Sequence, residues 1–460
     1  MTGKRSSRLL ACGAAILLAF AGILLLSFRF VYGEGHTERP IVLFQLVYSL
    51  AWIGFGIAAW RLWKGDVLTL PLILLLAAGM RIVLLPSAVI QEDDFYRYIW
   101  DGQMLLHGNS PYVAAPEHIS ARELEGDSVR LEQAEFIHSR INHPRVKTIY
   151  PPVAQAAFAT NGLLWGWRSH GFRYTWLLVD ALVIGLLLLA LRSAHLDPRF
   201  ILLYAWNPLV LKEYINGMHL DIVALLFLAI FAVGVLLQRH WLGMFGLVCA
   251  TLVKLVPVAL IPLHLAYVWQ RGDRKLAISL GIGAALAGAA SLGLMFIGAS
   301  APLEGLQAFA GEWQANGSLF PLMQTIAESA MNGDVAGQVT RGASALLFAA
   351  WVLWAMRRLP DTHSLFTACL YTMLLAFLLG PVGNPWYLGW ALPFFVLTRN
   401  PLALLTMAMT SLYYLNFYLI YHDAPERDFT LLKMTEYFPV LIMWVLLRDN
   451  RVQDVPADIG

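Results

Sequence analysis

Charge is scarce in this chain. Asp, Glu, Lys and Arg together make up 13% of its 460 residues, while 58% are hydrophobic. Soluble domains carry about 25% charged residues, so a soluble globule is excluded. Cysteine is scarcer still: Cys12, Cys249 and Cys369 are the full complement, each inside an apolar run. They read as small core residues, which excludes a disulfide framework and a paired-cysteine metal site. There is no Gly-rich phosphate loop and no Gly-x-Ser-x-Gly turn. The nucleotide-binding apparatus of a soluble sugar-nucleotide enzyme or an ATP-driven pump is therefore missing. No period of 20–50 residues repeats clearly. No basic block interleaved with aromatics is present, so nucleic acid is not an expected partner.

What the chain has instead is oil. Apolar runs of roughly 15–22 residues recur along nearly its whole length, and about 20 apolar residues span a bilayer. The expected fold is all-α: one polytopic membrane domain over 1–460 with about 12–14 transmembrane helices. Leu9-Leu10-Ala11-Cys12 faintly resembles a lipoprotein cleavage box, but almost no apolar stretch precedes it, so the reading is a retained first helix. Lys4, Arg5 and Arg8 precede that helix and put the N-terminus in the cytoplasm. Spans near 9–29, 41–61 and 67–86 then leave the loop 87–150 on the extracytoplasmic side.

Later charges follow the same parity. Arg192, His195 and Arg199 fall inside, as do Arg239, His240 and the stretch from Arg271 to Lys275. Arg357, Arg358, Arg399, Arg448 and Arg451 do so too. The segments 213–219, 299–338, 382–385 and 422–432 fall outside. Parity holds only if 151–166 lies in or dips into the outer face without crossing; it opens Tyr150-Pro151-Pro152 and holds Gln155, Thr160 and Asn161. The runs 241–254 and 256–269 count as two short crossings joined at Lys254 and Pro257. Both termini are then cytoplasmic, in a multi-pass protein of the plasma (inner) membrane.

Against this background the stretch Gln91-Glu92-Asp93-Asp94-Phe95-Tyr96-Arg97-Tyr98-Ile99-Trp100-Asp101-Gly102 stands out. It opens the loop 87–150, far longer than the usual connection between packed helices. The pattern of 95–106 predicts an amphipathic helix on the membrane face, ended by Gly108-Asn109-Ser110-Pro111. The polar stretch 118–140 predicts one or two further surface helices. Carboxylates at the lipid–water boundary are partly desolvated, which raises their pKa toward that of a general base. The same acids are also read as helix caps, or, through Glu92 and Asp94, as holders of a divalent cation such as Mg or Mn. A cap accounts for one acid, not for three in a row plus Asp101.

Three further polar groups fall at outer turns. One runs from Trp206-Asn207-Pro208 through Glu213 and Asn216 to His219 and Asp221. The second is Gly383-Asn384-Pro385-Trp386-Tyr387, and the third holds Trp313 and Asn316 in the loop 299–338. Capping, turn chemistry and interfacial aromatics are the plainer readings of each. Lys254 stands in an apolar stretch, where a cation needs an anionic partner or must snorkel to the surface.

Taken together, these stretches resemble the C-type glycosyltransferase superfamily of integral membrane enzymes that use lipid-phosphate sugars. The likeness is closest to bacterial mannosyltransferase-like proteins and to the catalytic subunit of the first mannosyltransferase of GPI-anchor assembly. Members carry an acidic motif opening a long first luminal loop, then Asp, then Gly-x-Ser-Pro-Tyr; here Glu92-Asp93-Asp94, Asp101 and Gly108 to Tyr112 match. Tyr150-Pro151-Pro152, Asn207-Pro208, the turn Asn216 to Asp221, Lys254-Leu255-Val256-Pro257 and Asn384-Pro385-Trp386-Tyr387 continue the likeness over about 300 residues in family order. The acidic motif reads Glu-Asp-Asp where the family has Asp-x-Asp, so either Asp93 or Asp94 takes the key place. Leu220 stands where the family's turn has Asn.

The resemblance implies transfer of a hexose, foremost mannose, from a polyprenyl-phosphate donor to a glycolipid or glycan acceptor outside the cytoplasm, with inversion. Asp93 or Asp94 would be the base, and Glu92 or Asp101 would orient the acceptor. Lys212, Arg97 or Lys254 would balance the leaving phosphate. Tyr150, Trp313 and Trp386 would stack on sugar faces. Tyr112, Glu213, Asn216, His219, Asp221, Asn384 and Tyr387 complete the expected substrate-binding set. The alternative is a transporter or flippase of a lipid-linked sugar; its usual mark, broken helices in matching halves, is missing.

Overall fold

Backbone polar groups find no water in a bilayer, so apolar segments satisfy them internally as helices. The computed structural model describes residues 2–30 and 35–449, and the side chains of 6–30 and 35–446. Among these, the chain is helical throughout, with no strand and a single isolated bridge between Ala315 and Val382. Seven helices are long and apolar enough to cross a membrane: Ser6–Ser27, Ile41–Trp63, Gly171–Ser193, Arg274–Met295, Thr362–Leu379, Pro401–Tyr421 and Glu426–Leu446. Shorter apolar helices occupy Leu70–Leu84, Asp221–Leu236, His240–Thr251 and Val256–Gln270. The chain is an all-α, multi-pass membrane protein. Lys4, Arg5, Arg448 and Arg451, on which the expected placing of the termini leans, lie outside the described side chains.

Two compact units make up the chain. The first comprises Met1–Gln91, Ile184–Asn216 and Asn384–Gly460. In it the helix Leu70–Leu84 carries a buried arginine, Arg81. Its guanidinium donates to the carbonyls of Ala77 (3.1 Å) and Ala205 (2.6 Å). The second bond has a clear cause: the helix Leu202–Ala205 stops ahead of Asn207-Pro208, and carbonyls at a helix end need outside donors. Trp206 Nε1 returns the contact to Ile73 O at 2.9 Å. The unit's first segment ends on Gln91, held at φ 60°, a left-handed conformation costly for a side chain. Arg39 donates to Gln91 Oε1 (2.7 Å), and Gln91 Nε2 donates to the Tyr421 hydroxyl (3.0 Å). These bonds fix the backbone just ahead of the acids.

The second unit comprises Glu92–Val183 and Gly217–Gly383. A helix does form where 95–106 predicts one, as Asp94–Leu106, but it is not a surface helix. Every residue from Phe95 to Met104 is buried. The physical reason is that both faces find partners. Tyr98 stacks on Phe158 (4.7 Å between centroids), while Trp100 packs on His138 and Trp167. The polar members Arg97, Asp101 and Gln103 bond inward, so hydrophobic periodicity understates the burial. Gly102 makes the closest approach: a Cβ there would collide with the carbonyl of Phe158.

Residues 118–140 form two short helices, Ala121–Leu124 and Ser128–His138, both with many exposed positions. Ser120 and Glu123 close a capping box on the first, and Asp127 caps the second. The stretch 151–166 becomes the helix Pro152–Trp165, 14 residues and about 21 Å long at 1.5 Å per residue, short of a 30 Å hydrocarbon core. The loop 299–338 holds the helices Glu304–Glu312 and Leu319–Glu328. Its first helix packs on 143–148, where Lys147 pairs with Glu304 at 2.8 Å and Gly305 abuts the Lys147 carbonyl. At the other end of that helix, Arg341 donates to the carbonyl of Ala310 at 2.9 Å, a cation at a helix C-terminus.

Gly102→Ala is expected to cost about 1–3 kcal/mol by overpacking, read as a lower thermal midpoint in detergent. Gly126→Ala, where a Cβ meets nothing within 4 Å, is the control and should leave the midpoint in place. Equal midpoints for both would show that the approach to Phe158 is not tight.

Candidate active site

Asp93 occupies the N-cap of the Asp94–Leu106 helix, yet its side chain makes no capping bond. The acids are turned elsewhere. Asn142, 49 residues on, donates from Nδ2 to Asp93 Oδ1 (2.8 Å) and to Asp94 Oδ1 (2.9 Å). The other oxygen of Asp94 faces His219, with Oδ2 3.8 Å from Nδ1. On the far side of the same imidazole, Glu92 Oε2 lies 3.8 Å from Nε2. Glu92 and Asp94, for which the sequence left the roles of base, cap and cation holder open, thus flank a histidine ring. His219 is fully buried, the Glu92 side chain is 7% exposed and the Asp94 side chain 26%. Of these three groups, Asp94 is the one that meets solvent.

Burial, then the charge of Asp94, push Asp93 up to about 6, with the Asn142 bond working the other way. Among neighbouring carboxylates such a shift leaves one acid able to exchange a proton near neutrality.

His219 reaches this place through a strained turn. Met218 sits at φ 56°, and its carbonyl accepts from Trp176 Nε1 at 2.9 Å. Two residues on, Asp221 begins the helix Asp221–Leu236, where a carboxylate is favoured by the helix dipole. Asp221 is also the anion that Lys254 requires: Nζ lies 3.7 Å from Oδ2, with the lysine side chain 14% exposed. Lys254 also stands over the ring of Tyr150 at 5.2 Å. It neither lies bare in the apolar stretch nor depends on snorkelling alone.

The break that carries Lys254 has a second use. The helix His240–Thr251 stops there, and the carbonyl of Leu252 accepts from the backbone of Val153 (3.1 Å) and Ala154 (3.3 Å). Those donors belong to the first turn of Pro152–Trp165, which has no partners of its own. So the Tyr-Pro-Pro and Lys-x-x-Pro stretches are fastened together. Tyr98 lies among these groups. Its ring meets Tyr150 edge-on at 5.3 Å. Burial first, then Tyr150, Asp94 and Asp221, keep its hydroxyl protonated well above the usual range.

Other expected site residues bond within the fold. Asp101 is fully buried and takes Arg97 Nε on Oδ1 (2.7 Å) and Gln155 Nε2 on Oδ2 (3.1 Å). Arg97 also donates to the Val146 carbonyl at 2.8 Å. Acid and cation pair inside the fold, with side chains 0% and 7% exposed. Tyr112 is buried and donates to the Tyr150 carbonyl at 2.8 Å. Trp313 is half-buried against the ring of His143, 4.3 Å between centroids.

The remaining expected residues lie in the first unit. Asn216 is fully used there: Nδ2 donates to Ser87 Oγ (3.0 Å) and the Ala88 carbonyl (2.7 Å), and Oδ1 accepts from Ile90 N (3.2 Å). It is a tie for 87–90. Lys212 and Glu213 form a fully buried pair at 3.7 Å; Tyr414 donates to Glu213 Oε1 at 2.6 Å and lies beneath the lysine. Trp386 is buried and its carbonyl accepts from Tyr214 at 2.9 Å, while Tyr387 stacks on Trp390. Asn384 heads the turn Pro385–Ala391 without a side-chain capping bond.

Sequence reasoning did not single out Asn142, the donor to both acids. No local signal marks Asn142, which lies in an ordinary polar turn after Ser128–His138. Searches with family models find no match to this chain, and no curated protein matches it.

The raised Asp93 implies a pH signature. Below its ordinary value of 3.8 the proton is on in folded and unfolded chain alike. Between there and about 6 the unfolded chain releases it first, so folding loses stability as pH rises and levels off above. The full shift corresponds to about 3 kcal/mol at 1.36 kcal/mol per unit. Asp93→Asn should therefore stabilise little at pH 4, increasingly through about pH 6, and then level off toward pH 7.5. A difference in thermal midpoint that stays constant over that range would contradict a proton held on Asp93.

Proposed function

We propose that this chain transfers a hexose, mannose first, from a polyprenyl-phosphate donor to a hydroxyl of a glycolipid or glycan. In this reading it is a C-type glycosyltransferase of about 12–14 spans. It lies in the plasma membrane with both termini cytoplasmic, and the loop 87–150 faces outward. One observation carries the reading. Four stretches far apart in sequence meet in a chain of contacts: Glu92 and Asp94 flank His219, two residues on Asp221 pairs with Lys254, and Lys254 stands over Tyr150, which packs on Tyr98. Ionisable groups inside a membrane protein are costly and are kept for function.

The chemistry is a single displacement. The acceptor oxygen attacks the anomeric carbon and forms the new glycosidic bond. The bond from that carbon to the phosphate oxygen breaks, and its electron pair leaves with the lipid phosphate. Asp94 takes the acceptor proton; its side chain is 26% exposed, and His219 backs its second oxygen. His219 in turn is backed by Glu92, an acid–imidazole–acid order that stabilises a proton once it arrives. Lys254 supplies positive charge as the phosphate leaves, the requirement of any step that builds anionic charge in a low-dielectric site. Its attachment to Asp221 keeps the site near neutral before the donor enters.

Purified protein in proteoliposomes, given labelled polyprenyl-phosphate mannose and a crude acceptor glycolipid fraction, should release polyprenyl phosphate. Asp94→Asn should lower that rate by about 100-fold or more, the range of a lost general base. Lys254→Ala should lower it as well. Full transfer by Asp94→Asn removes the base. Movement of intact donor across the bilayer without release of polyprenyl phosphate makes the protein a transporter.

A further inference from the structure

Asp93 and Asp94 are consecutive acids, and one residue answers both. Asn142 carries a single carboxamide nitrogen with two hydrogens, and each is directed at a different carboxylate, at 2.8 Å and 2.9 Å. The orientation of the amide is dictated by chemistry. Turned over, it would set a carbonyl oxygen against two carboxylate oxygens. Both bonded atoms are the Oδ1 of their residue, so both acids present Oδ2 away from Asn142. For Asp94 that is the oxygen directed at His219.

The segment carrying Asn142 is itself tied down. Arg97 holds the Val146 carbonyl (2.8 Å), and the backbone of Thr148 donates to the Pro111 carbonyl (3.3 Å). Lys147 holds Glu304 (2.8 Å), and His143, at φ 49°, packs on Trp313.

We infer that Asn142 is a positioning residue for the transfer step, its amide bridging Asp93 and Asp94 and turning the free oxygen of Asp94 toward His219 and the acceptor. This rests on the transferase reading and extends it to a residue outside every motif that suggested it. Asn142 touches no reacting atom; it acts through the acids. A carboxamide suits the task better than a cation, because it donates to both acids without cancelling the charge that makes Asp94 a base.

The charged groups around the bridge are otherwise occupied. On the acids' own side, Arg97 is committed to Asp101. On the Asn142 side, Arg140 lies over Phe136, Arg145 pairs with Glu117 and Lys147 with Glu304. From the 217–221 turn, His219 faces Glu92 and Asp94, and Asp221 is paired with Lys254. The Tyr98 hydroxyl is protonated throughout the working range. Asn142 is the neutral donor that the two acids share, so removing the amide should be felt as protonation of the pair.

The test is the pH profile of kcat/KM for transfer in wild type, Asn142→Ala and Asn142→Asp, beside the thermal midpoint of each at every pH. Loss of a donor to the charged acids favours their protonation. The acid limb of Asn142→Ala should therefore move up by about one pH unit, with transfer recovering to within a few-fold of wild type at alkaline pH. Asn142→Asp, which adds a third carboxylate, should move it further. A uniform loss at every pH with the limb unmoved would make Asn142 merely structural and overturn the inference. So would a profile identical to wild type. Wild-type protein that transfers nothing at any pH would instead overturn the transferase reading itself.

Discussion

Carboxylates on consecutive residues repel by roughly 3 kcal/mol at 5 Å and an effective dielectric near 20, and the repulsion grows as water is withdrawn. The second unit builds its polar centre around that cost. Asn142 shares its two hydrogens between Asp93 and Asp94, Asp93 gives way by holding its proton to about pH 6, and the far oxygen of Asp94 meets a histidine. Remove the shared amide, and the two acids have reason to turn apart. Much else in this unit serves to keep Asn142 opposite them. The helix Asp94–Leu106 is buried from Phe95 to Met104, its Gly102 lies against Phe158, and the stretch 143–148 is clamped from Arg97 and from Glu304.

The same logic sorts the expected site residues into two kinds. Asp101 with Arg97 is a closed pair, and Asn216 bonds Ser87, Ala88 and Ile90. Such groups hold the fold, and breaking them costs stability before it costs chemistry. Asp94 and Lys254 are held at ion-pair distance of 3.7–3.8 Å, with side chains 26% and 14% exposed. Groups held that way can exchange partners.

The helices and the breaks between them were legible in the sequence because lipid imposes a strong rule: long apolar runs become helices. The runs at 9–29, 41–61 and 172–191 correspond to helices at Ser6–Ser27, Ile41–Trp63 and Gly171–Ser193. The short run at 151–166 is likewise a short helix, Pro152–Trp165. Less legible was burial inside a long loop. The 95–106 pattern has polar residues at positions that a surface helix would expose. Here Arg97 and Asp101 satisfy each other inside, which no periodicity encodes. Roles within the site were least legible. The chain gives no local sign that an Asn in a polar turn answers two acids 48 and 49 residues earlier, nor that Lys254 has Asp221 for a partner. Such pairings are set by how elements meet.

The account stands or falls on which side of the membrane the acids open. Glu132 is exposed on the Ser128–His138 helix, in the same loop as Asp93, Asp94 and Asn142. In a background with Cys12, Cys249 and Cys369 replaced by alanine, Glu132→Cys should react with a membrane-impermeant maleimide on intact cells as fully as after permeabilisation. Labelling that appears only once the membrane is opened would put the acids on the cytoplasmic side and contradict the account at its root.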